Sequence, residues 1–328
     1  MRIAHQTSPG HPDQTCDIIA ETIVDEYLRR DPSTRVRVQV MGGKGALFIS
    51  GMVSSKADFD VGAIASRTAG SLGARKPVEP FVAIETIGTT GQSQAMRQSG
   101  TVEVMGYATR ETPELMPAAT IIARRAAKHL EELRTGNPDW FWLDASFHVD
   151  VAQSSRTSTI ITITCAHGDK PISEVRDTIT SVLRSLDASA TIRVNPTGPL
   201  AEWSIDHDIG SSGTHDASYG SSLPAQQSLI GIDPYHPRKY GTWLARGLAR
   251  RVLERCDVQA ILVRAVYEPG ERVPAWFSIK DEHGRDRSEI SDAELLRDIA
   301  LASALRSGLN ADAARWGFAG EAGMPWET

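Results

Sequence analysis

The stretch SPGHPDQTCD, residues 8–17, sets a histidine, a proline and an aspartate at the head of an apolar run. Pro12 suits the first position of a helix, where its missing N–H costs nothing, so His11 falls at the cap. From there Cys16, Ile19, Ile23 and Tyr27 recur at helical spacing, with Ile18, Val24 and Leu28 widening the stripe, which predicts an amphipathic helix over 13–30. The free backbone N–H groups of its first turn suit an anion such as a phosphate. Asp13 would repel that phosphate unless a cation intervened, and carboxylate plus phosphate oxygens is the usual environment of Mg²⁺. Imidazole, helix start and carboxylate together describe a metal–nucleotide corner, whereas singly each of these residues serves as an ordinary cap on an exposed turn.

Outward from this helix, RVRVQVM (35–41) and ALFISGMV (46–53) flank the turn GGKG (42–45) and read as a β-hairpin. Ser55 and Asp58 offer capping chemistry before a second helix in DVGAIASRTAGSLG (60–73). The order then recurs. Residues 114–135 predict a helix, 147–153 and 157–166 a strand pair, and 172–186 a helix opened near Ser173. Residues 239–256 predict a helix, 260–268 and 273–280 a hairpin about Pro269-Gly270, and Ser291 with Glu294 a capping box for a last helix. Three such units predict an α+β fold with helices on one face of each sheet, divided at 1–100, 101–196 and 197–328 and interleaved. Two polar segments break the pattern: 85–101 reads as a lid, and 204–239, loaded with His, Asp and Gly, as a binding surface.

The chain has 328 residues, 41% hydrophobic and 23% charged, enough to bury a sizeable core. A net charge of -6 argues against nucleic-acid binding through a broad basic surface, but not against a local pocket for a phosphate ligand. Cys16, Cys165 and Cys256 are widely separated and form no CxxC pair, which predicts neither a disulfide framework nor a zinc site and fits a reducing cytoplasm. Neither an export signal nor a membrane-spanning run is visible, so no membrane partner is expected.

Residues 10–36, GHPDQTCDIIAETIVDEYLRRDPSTRV, resemble the opening of S-adenosylmethionine synthetases, whose signature here is GHPDK followed by CD and a helix ending in a DP turn. MGYATRETPELMPA (105–118), NPTG (195–198), the Asp208-Ile-Gly210 and Gly231-Ile-Asp233-Pro234 fragments and a terminal WGF…PWE follow in order. The resemblance implies three βαββαβ-like units per subunit and a tight homodimer with active sites between subunits. It implies ATP and methionine as substrates: the methionine sulfur attacks C5′ of ATP, and the released triphosphate is cleaved. It also implies Mg²⁺ and K⁺ as cofactors.

Carried over by position, the resemblance makes His11 a phosphate contact, Asp13 a Mg²⁺ ligand, and Asp144 and Asp208 acids near the nucleoside and the acceptor. Gly231 and Asp233 fall in a nucleotide-binding fragment. The departures are cationic and acidic: Gln14 stands at a lysine, Gln39 at a glutamate that helps hold K⁺, Met52 at a glutamate and Ser146 at an active-site lysine. Thr214-His215 replace an Arg-Lys pair, and Ile232 and His236 stand at lysines. Lys44, Arg97, His215, His236, Arg238 and Lys239 lie on loops expected near the site, with Arg238 and Lys239 the candidate catalytic cations. Each cation lost from a transferring phosphate is worth roughly 10²-fold in rate. Two readings follow: an adenosyltransferase with rebuilt counter-charge acting on methionine or a related acceptor, or a non-catalytic nucleotide- or S-adenosylmethionine-binding relative serving as a partner subunit.

Overall fold

Pro12 opens helix α1 (Pro12–Arg30), with His11 at the cap in extended conformation and Asp13 in the first turn. The computed structural model describes residues 1–87, 100–155, 158–214, 219–224, 226–290 and 309–327. Within them the fold is α+β, with three sheets. The first joins β1 (Arg2–Thr7) to β6 (Phe147–Ser155), β7 (Ser158–Cys165) and β8 (Thr191–Val194). The second joins β5 (Val102–Thr109) to β10 (Ala260–Tyr267) and β11 (Trp276–Asp281). The third holds β2 (Arg35–Gly43), β3 (Ala46–Ser54), β4 (Glu79–Thr86) and a three-residue strand, β9 (Ile209–Ser211), which pairs with Met41–Gly43. Each sheet therefore takes a strand from a distant part of the chain.

Helices cover one face of each sheet. In the first, α3 (Ala118–Gly136) and α4 (Ile172–Leu183) bury Phe147, Val149, Ile161 and Ile163. In the third, α1 and α2 (Val61–Ser71) close over Val36, Val38, Leu47 and Ile49. In the second, α5 (Pro237–Arg255) packs on Val104, Ile261 and Val263. A short helix, α6 (Leu309–Trp316), lies along α1. The alternation of buried and exposed residues on β2 is that of a strand with one solvent-facing side.

Several local readings change. The side chain capping α2 is that of Asp60, which accepts from Ala63 N at 2.9 Å, in place of Ser55 or Asp58. Helix α3 starts at Ala118 rather than 114, because a turn closes from Thr112 to Leu115 (3.0 Å), Leu115 takes φ 54°, and Pro117 disfavours helix before it. Helix α4 begins after Pro171 with no side-chain cap, so Ser173 lies inside it. Glu85 and Thr86 belong to β4. Most of the expected lid, with Arg97, and the Ser291–Glu294 box lie outside the described residues. The hairpin turn after β2 places Lys44 and Gly45 at φ 56° and 89°.

Strand β9 docks on the head of α1, and Gly210 is what allows it: a Cβ there would lie 2.2 Å from the carbonyl of Pro12 and 2.6 Å from Asp13 N. Gly210→Val should lower stability by about 1–3 kcal/mol through forced displacement of β9, read as a shift of the urea midpoint. An unchanged midpoint would show that the contact is not tight in solution.

Candidate active site

The site is assembled by carboxylates on one face of α1. Asp13, Asp17, Glu21 and Asp25 recur every four residues and so share a face of the helix. Each accepts a backbone N–H from a remote segment: Asp13 from Ser211 (2.8 Å), Asp17 from Gly213 (2.6 Å), Glu21 from Gly231 (2.9 Å) and Asp25 from Ala311 (2.9 Å). Charge-assisted bonds of this kind are worth roughly 1.5–3 kcal/mol each when buried. The first three hold residues 211, 213 and 231 against the helix, and with them Asp208 beside β9, while Asp25 holds α6.

The resulting corner brings together His11, Asp13 and Asp208. His11 Nδ1 lies 4.0 Å from Asp13 Oδ2. The indole of Trp203 stands edge-on to His11, with ring centroids 4.9 Å apart, and donates from Nε1 to Asp208 Oδ2 at 3.1 Å. Asp208 Oδ1 accepts from Ile209 N at 2.8 Å. Asp144 lies on a cavity of about 230 Å³ that Arg75, Trp142, His167 and Lys170 also line. Its Oδ1 accepts from Ala145 N (2.7 Å), and Arg75 Nη2 approaches to 3.6 Å.

The other expected site residues have different surroundings. Lys239 is buried, with its Nζ donating to both oxygens of Glu21 (2.6 and 2.8 Å) and to Ile232 O (3.0 Å). Burial pushes the Glu21 carboxyl up, against the pull of Lys239. Asp233 accepts from Val36 N and Tyr235 N, both at 3.0 Å, and so ties the head of α5 to β2. Gly231 takes φ 72°, and a Cβ there would meet Val38 O at 2.0 Å, so glycine is required. His236 caps α5, accepting from Arg238 N at 3.1 Å. Burial, then the charges of Arg238 and Arg37, lower its pKa to about 4, so it is a neutral acceptor near pH 7. Arg238 donates to Ser228 O at 3.1 Å. His215 lies outside the described residues.

The lost lysine at Gln14 bears differently on the site than its sequence neighbours suggest. Gln14 accepts from Thr7 Oγ1 (2.8 Å) and donates to Ala314 O (2.5 Å), which places it between α1 and α6 rather than at the phosphate corner. Ser146 is fully buried. Gln39 accepts from Ser212 Oγ at 3.2 Å. Cys16, buried and beside Asp17 and Asp13, has its thiol pushed up to about 12, which removes it as a nucleophile. Sequence reasoning missed Trp203, although a tryptophan five residues before Asp208 in a polar segment was a signal. It also missed the four-residue carboxylate spacing on α1.

The chain matches the family models described as S-adenosylmethionine synthetase, N-terminal domain, over residues 2–90, and S-adenosylmethionine synthetase, central domain, over residues 96–200. It is similar to the S-adenosylmethionine synthase of Aquifex aeolicus, 26% identical, with 100% of this chain and 96% of that protein covered. It is likewise similar to that of Chlorobium phaeobacteroides, 26% identical over 99% of this chain and 94% of the relative. The Sorangium cellulosum synthase is 25% identical over 95% of this chain and 86% of its own length.

Lys239→Met should leave Glu21 buried without its counter-charge and cost about 3–5 kcal/mol, whereas Glu21→Leu with Lys239→Met should recover most of that loss. Urea unfolding of the two variants reads the difference. A Lys239→Met protein as stable as the wild type would mean that the ammonium points elsewhere in solution.

Proposed function

The chain belongs to the S-adenosylmethionine synthetase family, and from that premise we propose that it is a divergent adenosyltransferase using ATP and Mg²⁺. A thioether or thiol sulfur of methionine or a related acceptor attacks C5′ of ATP. The new S–C bond forms as the C5′–O bond breaks, and the electron pair leaves with the triphosphate, which is then cleaved to di- and monophosphate. The observation that carries this reading is the convergence of His11, Asp13 and Asp208, residues some two hundred positions apart in sequence, at one helix start.

In this reading the first-turn N–H groups of α1 and the His11 imidazole hold phosphate oxygens. Asp13 fits Mg²⁺ as its single protein carboxylate. One of its oxygens is taken by Ser211 N, and Mg²⁺ on a nucleotide commonly needs one or two carboxylates, with phosphate and water completing its shell. The ion supplies neutralisation of the charge that develops on the leaving phosphates. Asp208, fixed by Trp203, faces the nucleoside or acceptor, and Asp144 with its cavity holds the nucleoside. Arg238 contributes counter-charge from the head of α5, where the neutral His236 imidazole caps the helix. Gln39 offers a neutral amide where K⁺ is expected, so we assign K⁺ no protein carboxylate there.

We take the assembly to be a homodimer of a cytoplasmic protein. Met41, Phe48 and Phe81 are register neighbours across β2, β3 and β4, and all are about half exposed, with Phe48 stacked on Phe81 at 5.1 Å. Such an apolar row on the uncovered face of a sheet suits a second copy of the chain. A non-catalytic partner subunit is the second reading, favoured by the engagement of Lys239 with Glu21 and the burial of Ser146.

Incubation of the pure protein with ATP, Mg²⁺ and methionine, followed by mass spectrometry, should show adenosylated acceptor together with phosphates. Intact ATP with methionine and with a panel of thioether and thiol acceptors would leave the partner-subunit reading. Asp13→Asn should weaken ATP binding with Mg²⁺ by roughly tenfold or more, and far less in EDTA. Equal weakening in both would make Asp13 a structural clasp alone. Phe48→Asp should convert a dimer to a monomer in light scattering.

A further inference from the structure

His148 stands beside His11 and His5 beside His148, and neither the corner nor the family resemblance assigns them. His5 lies on β1 and His148 on β6. Their strand neighbours Ala4 and Val149 are buried under α3 and α4, so strand alternation sends His5 and His148 to the opposite face of the first sheet. The register sets His5 opposite Asp150 and His148 opposite Thr7, which makes the two imidazoles diagonal neighbours with ring centroids 5.6 Å apart. His148 also stands edge-on to His11 at 6.1 Å. Its Nε2 lies 3.1 Å from Asp150 Oδ1.

Among the described residues, the titratable groups about His148 include Asp150 on its own strand, His5 on β1 and His11 at the head of α1. On β7 its register neighbours are Thr164 and, beside Asp150, Thr162, both uncharged. The hydrogen bond from His148, with the charges of His148 and His5, holds Asp150 below the usual carboxylate range. The two imidazoles of β1 and β6 repel each other once protonated, and Asp150 offsets only part of that charge. A polyanion at the corner would relieve the rest. Ser146, where a lysine is expected, is buried and uncharged, while His148, two residues further along the same run, keeps a partly exposed side chain.

We propose that His148 and His5, together with the first turn of α1, form the counter-charge for a polyphosphate in this protein, taking the place of the lysine absent at residue 146. The proposal rests on the nucleotide reading of the corner and adds its consequence. A lysine stays charged throughout the neutral range, whereas an imidazole takes up its proton on acidification, so polyphosphate binding here tightens as the pH falls. The sign is diagnostic, because the polyphosphate itself loses charge on acidification and would alone bind more weakly.

The test is calorimetric titration of the full chain with sodium tripolyphosphate in EDTA at constant ionic strength, at about pH 6 and about pH 8. The wild type should bind roughly tenfold or more tightly at the lower pH. His148→Gln and His5→Gln should each lose most of that gain, and His148→Lys should bind tightly at both values. Circular dichroism and thermal melting confirm that each variant is folded, and His148→Lys together with His5→Gln keeps the test decisive should His148→Gln not fold. Equal affinity at the two pH values in the wild type, or an unchanged pH ratio in both glutamine variants, would overturn the proposal. Mg·ATP binding at about pH 8 separates the two levels: if it persists while tripolyphosphate shows no histidine-dependent gain, this inference alone fails, and if neither ligand binds, the nucleotide reading fails with it.

Discussion

A row of carboxylates on one helix, each accepting a backbone N–H from a different distant segment, is the constraint on which this structure turns. Asp13, Asp17, Glu21 and Asp25 project from α1 toward residues 211–213, Gly231 and α6. Residues 209–213, whose one large apolar side chain, Ile209, is exposed, are not held by apolar burial. Backbone groups buried without partners would be costly, and the carboxylates supply the acceptors. The opposite face of the same helix carries Ile19, Ile23 and Tyr27 into the core of the third sheet. One helix therefore joins a hydrophobic layer to a hydrogen-bonded one, and the candidate site lies at its start, where both layers are fixed.

This arrangement decides which charges remain for a ligand. Lys239 is committed to Glu21, and Asp233 to the backbone of β2 and of the turn before α5. Neither is spare for substrate in the described structure. Asp13 has a divided role, with one oxygen on Ser211 N and the other facing His11. In the nucleotide reading proposed above, counter-charge at the corner falls to imidazoles and to Arg238 at the head of α5.

The sequence was most informative where periodicity and punctuation agreed. Pro12 and the apolar repeat behind it marked α1 to within a residue, and the alternation around Lys44-Gly45 marked the β2–β3 hairpin. It was least informative where pairing is non-local. Strands β1, β5 and β9 carry little pattern of their own and become strands because distant partners supply their ladders. The site divides in the same way. His11, Asp13 and Asp208 could be named from motifs, but Trp203 and His148 acquire meaning only once β9 and β6 are beside α1. Lys239 shows the limit of placing a cation by position alone: on a loop it reads as available, while at the start of a helix facing Glu21 it is already paired.

The central claim is that the α1 carboxylates hold the 209–213 segment in place and so build the corner. Hydrogen–deuterium exchange of the wild type and of Asp17→Ala tests it directly, because Asp17 touches that segment without belonging to the phosphate corner. The account predicts that amides of residues 209–213 lose protection by roughly tenfold or more, as one charged acceptor is removed, while the central turns of α1 keep theirs. Unchanged protection of 209–213 in a folded Asp17→Ala protein would contradict it.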